Sequence, residues 1–434
     1  MTRQPSRYHL APLTLMNIVL VNQYAGSPRH GMEFRPHQLA KHWVASGHDV
    51  TIIAGSFSHL RNHNPTVGRR VEEEWIDGIR YRWVPTPRYS GNGMGRIRSI
   101  VSFLRGVDKE RREFLRTRGV DAVIASSTHP FDIDPCRRIA REHGATLVWE
   151  VHDLWPLSPI ELGGYSPRHP AIVLTQMAED RCCRDADLVV SILPRAIDHL
   201  ETRKLNPDRY KVIPNGVDTT AEASPDPSSI PADAMECLAK LRKDDAFLIG
   251  YAGSHTRSYP LELLIEAVRG LGDPRIKVIF IGDGPDKSSI QDSAADLPGV
   301  VFLDRMPRVS AISTLQACDA VFVGLKKQSL FRFGIGMNKI FDAMLVERPV
   351  IASYSAGNDP IGEAGCGITV PADSIEQLMD GLNRIQKLTK EQRRTMGEAG
   401  GSFVREHHDY RQLSDRFLEA VQSSKSKGAR SLPG

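Results

Sequence analysis

Residues 16–54 read MNIVLVNQYAGSPRHGMEFRPHQLAKHWVASGHDVTIIA, and this stretch decides the fold. Met16-Asn-Ile-Val-Leu-Val21 is a short apolar run, continuous rather than alternating, as a parallel strand buried on both faces requires. A glycine-containing loop follows, Asn22 to Gly31. From Phe34 to Ser46, Leu39, Trp43 and Val44 give a rough apolar stripe that predicts a helix, and Gly47 stands where it would cap the C-terminus. Asp49-Val-Thr-Ile-Ile-Ala54 is the next strand. Strand, loop, helix, strand is the βαβ unit of a doubly wound sheet.

The pattern recurs outward from there. Asp121–Ala125, Ala145–Glu150 and Leu188–Ile192 read as strands, with a helix over Ala171–Asp185. Lys211-Val-Ile-Pro214 runs into the turn signal Asn215-Gly216. Residues 219–233 are rich in Ser, Pro, Ala and Asp, the composition of a linker. Beyond them the alternation restarts. Strands are expected at Phe247–Ala252, Ile276–Ile281, Val300–Leu303, Ala320–Val323 and Val350–Ala352. Helices are expected at Leu261–Gly270, Lys339–Val346, Ile375–Leu388 and Tyr410–Ser423. The expected organisation is a first doubly wound, Rossmann-like domain over 16–218 and a second over 219–408. A C-terminal helix over 409–424 would cross back to the first, and a polar, disordered tail would occupy 425–434. Such sheets bind ligands at the carboxyl ends of their strands, so two facing domains would share one deep cleft.

Composition narrows the function classes. A formal net charge of +4 over 434 residues suits a protein that meets phosphates or an anionic surface, but no long Lys/Arg tract marks a nucleic-acid binder. The cysteines Cys136, Cys182, Cys183, Cys237, Cys318 and Cys366 form no CxxC pair, which points to free thiols in a reducing compartment. Met1–Pro12 is polar and basic, the run Ile18–Val21 is too short for a signal peptide, and no apolar stretch is long enough to span a membrane. A cytoplasmic protein is expected, with room for attachment at the inner face of a membrane.

Motifs in a fixed order add a family resemblance. They are Gly31-Met-Glu-Phe-Arg-Pro36 with Gly47-His-Asp-Val50, then Val212-Ile-Pro-Asn-Gly-Val-Asp218, then Tyr251-Ala-Gly-Ser254 with Ile281-Gly-Asp-Gly-Pro285. The last is Phe331-Arg-Phe-Gly-Ile-Gly-Met-Asn-Lys-Ile-Phe-Asp-Ala-Met344, followed by Arg348–Ala352 and Glu363-Ala-Gly-Cys-Gly367. Together they resemble the family 4 glycosyltransferases of GT-B fold. The last segment is similar to that of the N-acetyl-fucosaminyltransferase-like subgroup of surface polysaccharide synthesis. The resemblance implies α/β architecture with two Rossmann-like domains facing across a cleft. It implies a retaining transfer of a sugar, a hexose or an N-acetylaminosugar, from a nucleoside-diphosphate donor, UDP being expected. It also implies a glycan or lipid-linked saccharide as acceptor. The family's pair of glutamates, with seven residues between them, falls here on Gly334 and Asp342, so the first carboxylate is missing.

Each part of such a donor needs its own chemistry. A diphosphate needs positive charge and backbone N–H donors, which Asn338 and Lys339 would supply where a loop enters a helix. Arg332 would add charge to the leaving group. A ribose diol needs a carboxylate, and Asp342 lies one turn after Asn338 on the same side. Gly31 and Gly253 would let the backbone approach the donor, with Ser254 and Arg257 beside the second glycine. Glu363 is a further donor contact by resemblance. On the acceptor side, Glu150-Val-His-Asp153 ends a strand, so His152 and Asp153 would orient the acceptor hydroxyl or take its proton. Capping of the next segment would explain them as well. Glu150 and His129 are acceptor candidates. Asp132-Ile-Asp134 spells a DxD that reads as a chance match, and no metal or other cofactor is required. His407-His408 reads as surface. Met94–Gly106 carries Ile97, Ile100, Val101, Phe103 and Leu104 with Arg96, Arg98 and Arg105, a basic amphipathic helix that would lie on an anionic membrane or pack on the first domain. Other readings stay open: a nucleotide-sugar epimerase or hydrolase on this fold, or a non-catalytic nucleotide-sugar-binding partner. A nicotinamide dehydrogenase is disfavoured, since no glycine fingerprint follows the first strand.

Overall fold

The computed structural model describes residues 15–31, 35–91, 93–116, 118–219, 226–243 and 245–430, with side chains to 425. Met1–Pro12, Met32–Phe34 and the first part of the linker, 220–225, lie outside the described residues. By contact the chain divides into two compact units. One holds the residues to Asp153, Leu174–Val190 and Phe417 onward; the other holds Leu154–Val173 and Ser191–Arg416.

The first sheet contains β1 (Asn17–Val21), β2 (Asp49–Gly55), β3 (Glu72–Ile76), β4 (Ile79–Val84), β5 (Ala122–Ala125), β6 (Thr146–Val151), β7 (Leu188–Ser191) and β8 (Tyr210–Val212). Its order is β3-β4-β2-β1-β5-β6-β7-β8. β1 pairs in parallel with both β2 and β5. Strand order therefore reverses between β1 and β5, which makes that edge the switch point where open α/β sheets bind ligands. β3 and β4 form an antiparallel hairpin closed by the two-residue turn Asp77-Gly78. The helix Arg35–Ala45 buries Leu39 and Trp43 as the sequence predicts.

The second sheet contains β9 (Phe247–Ala252), β10 (Ile276–Ile281), β11 (Val300–Leu303), β12 (Ala320–Gly324), β13 (Val350–Ser353) and β14 (Gly367–Val370). Its order is β11-β10-β9-β12-β13-β14, and the pairings are parallel. Its switch point lies between β9 and β12. Both faces are covered. Leu248, Ile279 and Val321 belong to one core cluster, and Ile249, Val278 and Phe322 to the other. Alternate residues thus feed opposite layers, which is why these strands read as unbroken apolar runs.

Differences from the sequence reading lie mainly between and after the strands. The described part of the expected linker is ordered: Asp226 caps a short 3-10 turn at Pro227–Ser229, and Ser229 Oγ donates to Ser313 Oγ (3.0 Å). A helix of 18 residues, Lys390–His407, was not expected. The tail expected from 425 is helical through Arg430, in the helix Tyr410–Arg430; 431–434 lie outside the described residues. The six cysteines are free.

Candidate active site

The donor-side candidates belong to the second unit. β9 ends at Ala252, and Gly253 N–H donates to Ile281 O while His255 N–H donates to Asp283 O (both 2.9 Å). These bonds lay the loop after β9 along the loop after β10. Gly253 has φ +153°, and a Cβ there would sit 2.6 Å from Lys339 Cε, so a side chain at 253 and Lys339 in this position exclude each other. Lys339 enters from the first turn of the helix Asn338–Leu345, whose N-cap Met337 makes no side-chain cap. Ile340 N–H turns back to Met337 O (3.2 Å), and among the described residues the N–H groups of Asn338 and Lys339 are left for an outside acceptor. Lys339 Nζ donates to Tyr251 Oη (3.3 Å) and lies 3.4 Å from the centre of the Tyr259 ring. Burial lowers this ammonium's pKa to about 8, against the opposing pull of Asp342. Asp342 Oδ1 in turn pairs with Arg308 Nη2 at 2.5 Å.

The loop leading into that helix is pinned from several sides. Arg332 makes a two-pronged pair with Glu161, Nη2 to Oε1 at 2.7 Å and Nη1 to Oε2 at 2.8 Å. Ile335 N–H donates to Asn358 Oδ1 (2.8 Å), Asn358 Nδ2 donates back to Ile335 O (3.2 Å), and Asn215 Nδ2 donates to Gly336 O (2.7 Å). Gly334 has φ +111°, and a Cβ there would meet Pro194 Cγ at 2.8 Å. The missing family glutamate has a steric counterpart: this backbone admits no side chain at 334.

The acceptor-side candidates gather at the switch point of the first unit. Glu150, at the end of β6, is fully buried. Arg35 contacts its Oε1 through Nε (3.0 Å) and Nη2 (2.9 Å), and Ser126 Oγ donates to Oε2 (2.6 Å). Burial alone would raise this carboxyl's pKa, but Arg35, His152 and Ser126 outweigh it and hold the group well below the ordinary range. His152 Nε2 lies 3.2 Å from Glu150 Oε2 and 3.0 Å from Ser126 Oγ. An ionised carboxylate only accepts, so Nε2 carries a proton toward Glu150. Asp153 is exposed, and desolvation by the surrounding protein raises its carboxyl against the pull of His152 and Arg96.

Comparison with known families matches residues 30–216 to a glycosyl transferase 4-like domain and residues 246–387 to glycosyl transferases group 1. Both matches are to glycosyltransferase domains, and together they support a family 4 glycosyltransferase. Alpha-maltose-1-phosphate synthase of Mycolicibacterium smegmatis is 25% identical to it over 303 residues, which covers 64% of this chain and 73% of the relative. Sucrose-phosphate synthase from Thermosynechococcus elongatus superposes with a TM-score of 0.68 at 16% identity, over 96% of this chain and all of that one. Anabaena HepE, in complex with UDP and glucose, superposes with a TM-score of 0.62 at 17% identity, over 94% and 100% of the two chains. The fold is GT-B.

Set in this glycosyltransferase, the candidate residues separate. Gly253, Lys339, Asn338 and Asp342 gather at the head of one helix. Ser254 is exposed beside them, its carbonyl accepting from Tyr251 Oη (2.9 Å). Arg257 is 88% exposed and leans on Asp286 (3.5 Å), so it extends into solvent rather than over the loop. Arg332 is engaged by Glu161. Glu363 opens on a separate recess of about 400 Å³ with Phe341, Phe403, His407 and Arg416, which none of the other donor candidates lines. In the first unit Gly31 turns its loop, its N–H donating to Ser27 O (3.0 Å).

His129 and Glu150 are corrections. Both are enclosed, so neither lines a surface that an acceptor can touch. His129 Nε2 bonds Gln23 Oε1 (2.8 Å), and burial together with Arg96 lowers its pKa to about 3, so it stays neutral. His408 is also a correction: it is buried, stacks on Phe341 at 3.8 Å, and its Nδ1 meets Asn215 O at 2.9 Å. Asp132 is buried and accepts from Ser127 N–H (2.9 Å), while Asp134 pairs with Arg137 and Arg181. Among the described residues no cluster of His, Cys, Asp and Glu is placed to hold a metal ion.

The sequence reading passed over Arg35, Ser126, Tyr251 and Tyr259. Arg35 and Tyr251 stand inside the quoted motifs; nothing local singles out the other two.

Proposed function

We propose that this glycosyltransferase moves a sugar, a hexose or N-acetylaminosugar, from a UDP-sugar to a hydroxyl of a glycan or lipid-linked saccharide, with retention of anomeric configuration. The reading rests on one observation. A half-buried lysine, with no carboxylate within ion-pair distance among the described residues, stands at a helix head without a side-chain cap, against the backbone of a glycine loop at the switch point of the second sheet. That is an arrangement for a diphosphate: fixed N–H dipoles and one cation, ready to take up the charge that grows as the glycosidic bond breaks. The complexes of HepE with UDP and glucose agree in donor class. The N-acetyl-fucosaminyltransferase-like subgroup is the part of the reading that names the aminosugar. Asp342 is assigned to the ribose, and His152 with Asp153 to the acceptor hydroxyl. The donor test is thermal unfolding with UDP, GDP and ADP, all at one concentration set to about 100 times the dissociation constant of UDP. UDP should stabilise by roughly 2.7 kcal/mol under that condition. No shift with any nucleoside diphosphate would end the proposal.

The acceptor reading rests on the helix Met94–Glu110. Phe103 and Val107 are buried, but Met94, Ile97 and Val101 are exposed on the same side as Arg98, Arg105 and Lys109. No helix among the described residues is long and apolar enough to cross a membrane. A mixed apolar and basic stripe suits the surface of an anionic bilayer, where each basic residue adds about 1 kcal/mol. We assign the protein to the cytoplasmic face of such a membrane. Co-sedimentation with phosphatidylglycerol vesicles is expected, lost on Arg98→Glu with Arg105→Glu. Equal binding to neutral phosphatidylcholine vesicles would refute an electrostatic contact.

A further inference from the structure

We propose that Tyr259 is a positioning residue: the face of its ring holds the Lys339 ammonium where the donor diphosphate meets it. The proposal rests on the diphosphate reading above and adds the means by which the cation is kept in place.

The geometry carries it. Lys339 Nζ lies 3.4 Å from the centre of the Tyr259 ring, well inside cation–π range, and 5.5 Å from that of Tyr251. Among the described residues no carboxylate lies within ion-pair distance of Nζ. Its hydrogen-bond partner is Tyr251 Oη, and the Gly253 backbone closes another side. Asp342, one turn along the same helix, is paired with Arg308. His255, in the loop between the two tyrosines, is buried, and burial with Lys287 and Lys339 lowers its pKa against the pull of Asp283. The cation is thus held by two phenols and a peptide, none of which neutralises it. A carboxylate in the place of Tyr259 would have to be displaced before a phosphate could pair with the lysine. A ring face need not be, since it occupies one side of the ammonium and leaves the others for phosphate oxygens.

The arrangement has a titration signature. Without a ligand, burial lowers the pKa of Lys339 to about 8, so UDP affinity should start to fall there as pH rises. Removing the ring removes a stabiliser of the charged form and moves the onset to lower pH. A larger π face moves it higher, and phenylalanine should leave it in place.

The test measures UDP dissociation constants from pH 6.5 to 10 for the wild type and for Tyr259→Phe, Tyr259→Leu and Tyr259→Trp, with circular dichroism as the folding control. Phenylalanine should stay within about twofold of wild type and leucine should weaken binding roughly tenfold. Tryptophan should carry the affinity to higher pH. If leucine matches wild type in affinity and pH profile, or phenylalanine is as damaged as leucine, the ring face is not the holder. If the leucine variant does not fold, an unshifted profile in the tryptophan variant overturns the proposal by itself. A wild type that binds no UDP at any pH would instead remove the diphosphate reading, and Tyr259's role with it.

Discussion

Lys339→Ala is expected to lower kcat for sugar transfer by roughly 10²–10³, the usual cost of removing one preorganised group from a developing anion. The loss should appear in kcat and kcat/KM together, because the cation matters most when the diphosphate leaves. Arginine should not restore it. Its planar fork is larger than the ammonium and cannot enter between Gly253 and the Tyr259 ring as this lysine does. pH adds a check on sign. The lysine's pKa in the free enzyme is about 8, below its ordinary value because of burial. The charged form predominates at pH 7 and declines above pH 8, so wild-type kcat/KM should fall on the alkaline side. In Lys339→Ala that limb should be absent. A variant that turns over at near wild-type rate, or keeps the alkaline limb, would remove Lys339 from the chemistry. Asp342→Ala is a milder companion, since its carboxylate is half engaged by Arg308.

Glu150→Ala should cost about 3–5 kcal/mol of stability in the first unit. The reason is Arg35, whose side chain is 3% exposed and whose guanidinium would lose its carboxylate. For a unit of this size the loss corresponds to a fall in Tm on the order of 10 °C. The double variant Arg35→Met with Glu150→Leu should recover much of it, since replacing both partners leaves no stranded charge. Acid titration supplies the sign check. The folded pKa of Glu150 is depressed relative to about 4.3 in the unfolded chain. Its contribution is therefore full above the unfolded value and lost as pH falls toward the folded one. The alanine variant should lose a stabilising term at neutral pH that both proteins lack in strong acid. Melting within 2 °C of wild type at pH 7 would show that the pair is not holding the switch point together.

The strands were legible because parallel strands covered on both faces must be apolar throughout, and Ile18–Val21 or Val278–Ile281 can be little else. The hairpin of β3 and β4 escaped notice because Glu72-Glu-Glu-Trp-Ile76 lies on the sheet edge and is mostly exposed. Its Asp77-Gly78 turn was the available signal. The helix Lys390–His407 escaped for the opposite reason. Its buried residues are Gly397, Gly400, Gly401 and Val404, so it carries no apolar stripe. Only the capping box of Thr389 with Gln392 announces it. The site was legible where one helix carries neighbouring candidates, as at Asn338, Lys339 and Asp342. It was illegible where distant residues supply the partner: Arg35 for Glu150, Glu161 for Arg332, Tyr259 for Lys339. A sequence lists charges, but which of them are already spent on one another is settled only by tertiary contact.

The last helix has a bearing on how the protein is made. From Phe417 onward it belongs to the first unit, where the Phe417 ring packs edge-on against Trp43 at 5.3 Å. On the ribosome, the body whose sheet begins at residue 17 therefore cannot complete its core until Phe417 has emerged, after the intervening second unit. A stop codon ahead of Phe417 would leave Trp43 uncovered, so a truncation that spares nearly all of the second unit would strike the core of the first.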